Sequence, residues 1–138
     1  MNNLIEVFSL NNFRLVKKFK SEKENTTFLK GLIYNNRLYV GAEGGLTIFD
    51  WKTCELIKFI ESNTENIELS IVLWNEKYII TNPEREDAIN VYNIETQEKE
   101  TIINLGEGEI RMIDKTYDSS TLLAFYGREG FASELEFK

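Results

Sequence analysis

Apolar and polar positions along this chain alternate with a period of two. Leu46, Ile48 and Asp50 interleave with Thr47, Phe49 and Trp51, and Ile89, Val91 and Asn93 interleave with Asn90, Tyr92 and Ile94. Short runs rich in β-branched and aromatic residues, bounded by Asn, Gly, Asp and Thr, are strand signals. Thirteen such runs occur, around residues 4–10, 13–19, 28–34, 37–41, 45–50, 54–60, 68–73, 76–81, 88–94, 99–104, 109–114, 120–126 and 130–137. The breaks between them carry turn chemistry: Asn11-Asn12, Asn35-Asn36, Glu43-Gly44-Gly45, Lys52-Thr53, Asn75-Glu76 and Asp118-Ser119-Ser120. Ser21–Glu24 and Ser62–Glu65 have the spacing of capping boxes, but no apolar helical stripe follows, so each predicts one helical turn at most. The pattern predicts an all-β chain.

The runs repeat. Residues 5–19, 46–60 and 89–103 align without gaps, each reading as strand, aromatic plus small polar residue, two-residue turn, strand. Matching hairpins precede the second and third copies, at Leu32-Ile33 with Leu38–Val40 and at Val72-Leu73 with Tyr78–Ile80. A fourth, less regular copy runs from Glu109 through Leu122–Tyr126 to Phe137. A period of about 40–45 residues with four strands per unit belongs to β-propeller blades. The chain divides on this basis into a partial blade at 1–20, blades at 27–61 and 67–104, and a partial blade at 108–138. The fold expected is all-β, made of four-stranded antiparallel blades. Thirteen strands fall short of the roughly sixteen in the smallest rings. The expected ring is therefore incomplete in this chain, to be completed by a larger parent chain, a second copy or another subunit. The parent chain is the favoured source, because a propeller often pairs strands from its two termini.

Composition narrows the chemistry. The 138 residues contain no histidine, which excludes Ser-His-Asp and Cys-His catalysis and His-ligated zinc within the chain. The single cysteine, Cys54, allows no internal disulfide or multi-Cys metal site and fits a reducing compartment. Sixteen basic residues against twenty-three acidic ones give −7, which argues against general nucleic-acid binding. No secretory signal pattern and no apolar run of membrane-spanning length is present. The chain reads as cytoplasmic or nuclear, with neither nucleic acid nor membrane as partner.

The remaining motifs read as structural. Gly41–Gly45 and Gly106–Gly108 are followed by no helical pattern and no P-loop lysine, so they predict tight strand connections, not a phosphate cradle. Glu84, Glu86 and Asp87, and Glu107 with Glu109, lack the spacing of a calcium loop and read as solvated loop carboxylates. Lys17, Lys18 and Lys20 belong on an outer strand, where they discourage edge-to-edge pairing. Cys54 has no base to activate it and reads as an idle thiol. Trp51 and Trp74 flank turns and are expected to cover blade ends. No catalytic residue, cofactor site or metal site emerges.

Phe49-Asp50, Tyr92-Asn93 and Phe8-Ser9 fall where the WD40 repeat places its Trp-Asp pair, at the end of the third strand of a blade. Tyr78–Asn82 followed by Ile89–Thr96 is similar to the YVTN type of repeat. Over nearly its whole length the chain resembles WD40/YVTN-like β-propeller repeats in degenerate form. The histidine of that family is absent throughout, and the tight-turn Asp of the second hairpin is Glu43 or is displaced to Asp87. The side-chain network that stiffens such blades is accordingly expected to be missing, leaving blade packing to apolar contacts. The resemblance implies a non-catalytic protein-interaction scaffold, not an enzyme. Blade-to-blade loops and loops between second and third strands would emerge on one face, at 20–27, 42–45, 61–66, 82–88, 105–109 and 127–130. Four basic residues there oppose eleven acidic ones, a net charge equal to the −7 of the whole chain. Glu43, Glu84, Arg85, Glu86, Asp87, Glu107, Glu109 and Arg128 are the expected partner-binding residues, and a partner with a basic surface is expected to meet them. The alternatives are a propeller that binds or transforms a small ligand in its channel, as YVTN-like and quinoprotein-like relatives can, and a purely structural subunit of a large assembly.

Overall fold

The structure, a computed structural model, describes residues 4–21, 27–62, 65–104, 106–118, 120–126 and 132–136, the last of these as backbone alone. Thirteen strands and no helix occur among the described residues. They are β1 (Leu4–Phe8), β2 (Leu15–Lys20), β3 (Phe28–Tyr34), β4 (Arg37–Ala42), β5 (Gly45–Asp50), β6 (Leu56–Glu61), β7 (Glu68–Trp74), β8 (Tyr78–Pro83), β9 (Ile89–Asn93), β10 (Glu98–Ile103), β11 (Ile110–Lys115), β12 (Thr121–Tyr126) and β13 (Ala132–Glu136). No described helix is long and apolar enough to cross a membrane. The one-turn expectations at Ser21–Glu24 and Ser62–Glu65 fall mostly outside the described residues.

All strand pairs are antiparallel neighbours in sequence, giving four sheets ordered β1-β2, β3-β4-β5-β6, β7-β8-β9-β10 and β11-β12-β13. Strand β7 touches β3 and β4 on one side and β11 on the other, so the first strands of successive sheets stand side by side. Three apolar seams hold the sheets face to face. Phe19, Leu38, Val40 and Phe49, joined by Ile5 and Val7, form the first seam. Tyr39, Leu46, Ile48 and Ile60 meet Ile79 and Tyr92 in the second. Val72, Ile80 and Ile89 meet Ile110, Ile113, Leu122 and Ala124 in the third. Because each middle sheet is covered on both faces, strands β4, β5, β8 and β9 are buried almost throughout. Polar members of the alternation, such as Thr47 and Asn90, are therefore inside the protein.

The turns at one end obey the sequence. Asn35 and Asn36, and Asn75 with Glu76, take the left-handed backbone that tight hairpins need. The connection from third to fourth strand is longer than the two-residue turn expected. Asp50 Oδ1 accepts the amides of Lys52 and Thr53 at 2.9 Å each, and Cys54 N donates back to the Asp50 carbonyl at 3.0 Å. Asn93 does the same for Glu95, Thr96 and Gln97. The closing residue is left-handed in all three repeats, at Phe13, Cys54 and Gln97. The small polar residue after the aromatic is thus a turn-builder, and Cys54 belongs to a turn instead of starting a strand. Trp51, next in sequence, stacks on Phe19 at 5.5 Å between ring centres. The Lys17 ammonium also lies over the Trp51 ring, 5.2 Å from its centre.

Gly45 shows why glycine opens β5. A Cβ there would lie 2.0 Å from the Ile60 carbonyl oxygen, so the backbones of β5 and β6 approach closer than any side chain allows.

Candidate functional site

The connections at the opposite end of the blades are tied to one another. Gly44 N donates to Asn66 O at 3.0 Å, and Glu43 bridges Ile67. Glu84 N donates to Ile67 O at 2.8 Å, and Ile110 N to Glu86 O at 3.2 Å. Asp87 Oδ2 accepts the amide of Gly106 at 2.8 Å. These bonds join residues 43–44, 66–67, 84–87 and 106–110 into one continuous rim. Its carboxylates are Glu43, Glu65, Glu84, Glu86, Asp87, Glu107 and Glu109, with Arg85 and Arg111 among them.

Three of the expected partner-binding residues converge. Glu84, Arg85 and Glu109 line a hollow of about 650 Å³ together with Leu69 and Arg111. Arg111 Nε stands 3.7 Å from Glu109 Oε1 in a half-open ion pair. Arg85 is exposed, with a left-handed backbone at φ 61°. Glu43 and Glu107 are exposed further along the rim. Asp87 serves the loop itself through Gly106, and Glu86 turns partly inward, with one carboxylate oxygen buried. Arg128 lies outside the described residues. No group of three or more Cys, Asp and Glu side chains able to hold a metal ion occurs among the described residues.

Just beneath the rim lies a group that the period-two reading passed over. Glu68, the first residue of β7, is 0% exposed. Its Oε1 accepts Asn90 Nδ2 at 2.7 Å and the Tyr92 hydroxyl at 2.9 Å, while Oε2 is buried with no partner. Burial pushes the Glu68 carboxyl above its ordinary pKa, the Thr81 hydroxyl and the Asn90 and Tyr92 donors oppose the shift, and the Glu86 charge adds to it. Burial beside Glu68 likewise pushes the Tyr92 hydroxyl well up. The backbone leaves no room to move away, since a Cβ on Gly41 would sit 2.8 Å from the Glu68 carbonyl oxygen.

Glu68 corrects one expectation. Mainly apolar side chains fill this place in the β3–β6 sheet, where the matching positions are Phe28, Val40, Thr47 and Phe49, and where Phe28 meets Phe49 edge-on at 6.2 Å. The expectation of packing by apolar contacts fails in the β7–β10 sheet, where Glu68, Thr81, Asn90 and Tyr92 occupy those same register positions and a side-chain network joins β7 to β9. Polar bonds also cross the third seam. Asn82 Nδ2 donates to Ile110 O at 3.1 Å, and Ser70 Oγ accepts Ile113 N at 3.1 Å. The sequence held a signal: Glu68 opens a largely apolar strand at the place where Phe28 and Ile110 open theirs.

No protein-family model and no curated protein matches the sequence. Solved structures do match in shape. A chain of Kuenenia stuttgartiensis hydrazine synthase superposes on 97% of this chain with a TM-score of 0.83 at 15% identity, using 40% of its own length. The WD40 β-propeller domain of Doa1 covers 88% with a TM-score of 0.73 at 14% identity, again over 40% of its length. The computationally designed Ika4 protein covers 99% with a TM-score of 0.73 at 10% identity, over 81% of its length. The chain spans about two-fifths of the first two. At such identities the likeness speaks for the fold alone, and that fold is an all-β propeller of four-stranded antiparallel sheets.

Proposed function

We propose that the chain is a non-catalytic, WD40-like propeller scaffold that engages a protein partner through its acidic rim. The observation that supports this most is the hydrogen-bonded continuity of residues 43–44, 66–67, 84–87 and 106–110 around a hollow lined by Glu84, Arg85 and Glu109. Loops held by one another present a fixed surface, and recognition then costs little ordering. Carboxylates outnumber arginines on that surface, so a partner with exposed Lys and Arg is the complementary one. Association is steered by the field and weakens with salt.

The test replaces exposed or half-exposed carboxylates that do not hold the loops. The variant Glu43→Lys/Glu84→Lys/Glu109→Lys is compared with the parent chain as bait in affinity purification at low and high salt. Loss of a basic partner from the variant, and from the parent at high salt, supports the reading. Equal recovery of the same partners in all conditions refutes it. A shift in melting temperature with a metabolite, in place of any protein partner, would favour the channel-ligand alternative.

A further inference from the structure

The rim is acidic, yet Arg85 and Arg111 share one place on it, lining the same hollow of about 650 Å³. Neither is neutralised there. The contact from Arg111 to Glu109 runs through Nε alone, at 3.7 Å, which is beyond hydrogen-bond reach, and the Arg111 side chain is 57% exposed. The outer nitrogens of its guanidinium are thus left open. Arg85 has no ion-pair partner among the described residues. Two like charges held in one hollow repel, and an anion seated between them relieves that repulsion.

The backbone fixes the pair before any partner arrives. Arg85 lies between Glu84, whose amide donates to Ile67 O at 2.8 Å, and Glu86, whose carbonyl accepts Ile110 N at 3.2 Å. Arg111 directly follows Ile110, which is fully buried. A single hydrogen bond therefore ties the chain neighbours of both arginines together, so little ordering remains to be done on binding. The planar fork of a guanidinium matches a carboxylate with two parallel N–H donors. Leu69, half-buried on β7, gives the hollow an apolar wall for side-chain methylenes. Glu84 and Glu109 complete the lining and repel an anion that misses the arginines.

We infer that this hollow is a carboxylate subsite inside the acidic rim, filled by one carboxylate of an otherwise basic partner. The inference rests on the acidic-rim reading and names what that reading leaves open, which is how the partner is held in register. A uniformly basic surface is attracted anywhere along the rim. A carboxylate seated between Arg85 and Arg111, ringed by Lys and Arg that meet Glu43, Glu84 and Glu107, fits in one position only. Such a two-sign pattern rejects surfaces that are merely basic. A glutamate side chain, resting its methylenes on Leu69, and a free chain end both supply the carboxylate.

The probes are two capped peptides, acetyl-Lys-Lys-Glu-Lys-Lys-amide and its counterpart with Gln in place of Glu, titrated into the full chain at low ionic strength. The Glu peptide is the less positive, so a rim acting by its field alone prefers the Gln peptide. The subsite reverses that order, and the Glu peptide is expected to bind about fivefold tighter. Arg85→Ala/Arg111→Ala is expected to abolish the preference while strengthening the Gln peptide, because the rim becomes more acidic. A third arm compares acetyl-tetralysine as free acid and as amide. A preference for the free acid, lost in the same double variant, assigns the subsite to a chain end, and a preference for the Glu peptide assigns it to a side chain. If the parent binds the Gln and amide peptides as well or better, the subsite is overturned and the acidic rim stands. A preference that survives the double variant overturns it equally. Failure of every peptide to bind removes the rim reading, and the subsite with it.

Discussion

Replacing Glu68 by Gln removes a titrating group while keeping its shape. The amide oxygen still accepts from Asn90 and Tyr92, at the positions now 2.7 and 2.9 Å from Oε1. The new NH₂ can donate where Oε2 now has no partner. The direction of the stability change follows from linkage. Burial raises the Glu68 pKa in the folded protein, while the unfolded chain ionises it near the ordinary carboxylate value. Below that ordinary value both states hold the proton and its full contribution to stability is present. Between the ordinary value and the raised one, unfolding releases a proton, and stability falls by about 1.4 kcal/mol for each pH unit. Above the raised value the native carboxylate is ionised too, buried with one oxygen unpaired, and the loss is complete. Glu68→Gln has no such term, so its stability curve is flatter from mildly acidic to neutral pH. At neutral pH the variant gains on the order of 1 kcal/mol or more over the parent. Urea unfolding of both proteins at a series of pH values from about 4 to 8 reads this directly, since a change in midpoint at constant slope is a change in stability. Parallel pH profiles, or a Gln variant weaker than the parent at neutral pH, would refute the reasoning and show that Glu68 is ionised and well solvated in the folded protein.

Tyr92→Phe fits the slot, as Phe49 does in the neighbouring sheet, and removes a donor to Glu68. It is expected to lower stability by about 1 kcal/mol. Because that donor favours the ionised carboxylate, its loss also moves the upper end of the Glu68 pH window upward in the same titration. Gly45→Ala is expected to cost about 3 kcal/mol or more in thermal or urea unfolding, because its Cβ would lie 2.0 Å from Ile60 O and both backbones must move. Gly106→Ala serves as the contrast. Its Cβ would meet nothing, and only the left-handed φ of +80° opposes it, at a cost of about 1 kcal/mol. Similar losses for both glycines would show that contact with Ile60 does not limit β5.

What the chain states openly is its local geometry. The runs 45–50 and 88–94 become β5 and β9 because β-branched and aromatic residues alternate there and Asx residues close the turn behind them. The Asn35-Asn36 pair announces a hairpin because both residues tolerate the left-handed backbone they adopt. The repeat then orders the strands, since copies of one pattern at a fixed spacing stack as copies of one unit. Alternation does not disclose which strands are covered on both faces. Thr47 and Asn90 have the look of solvent-facing positions, yet a neighbouring sheet lies against each side of their strands. The rim was half legible: chemistry and loop order suggested Glu84, Arg85 and Glu109, but only the fold brings Leu69 and Arg111 beside them.

Glu68 escaped the same reading for a physical reason. A lone glutamate at the end of a strand is ordinarily a solvated side chain, and its neighbours in sequence give no sign of a partner. Asn90 and Tyr92 lie two strands away across the sheet, and they too look like ordinary members of an alternating strand. The three become one feature only when β7, β8 and β9 are laid in register, which puts Glu68 opposite Pro83 and Thr81 opposite Asn90. The β3–β6 sheet fills the same register with Phe28, Val40, Thr47 and Phe49, so the backbone itself requires no carboxyl there. A buried carboxyl held by two donors is costly where aromatic packing would serve, and what it adds is direction, because hydrogen bonds fix a geometry that apolar contacts tolerate loosely. In the β7–β10 sheet that geometry lies directly under residues 84–87, the stretch that ties two segments of the rim together. The hydrogen-bonded interior thus stands beneath the surface proposed above for partner contact. With the network holding that stretch in place, Glu68→Gln should leave residues 84–87 as they are while Glu68→Phe, which packs like Phe28 but bonds nothing, should loosen them. Hydrogen exchange at the amides of Glu84 and Ile110, each bonded across the rim, separates the two variants. Equal protection in both would mean that the rim keeps its shape without the network.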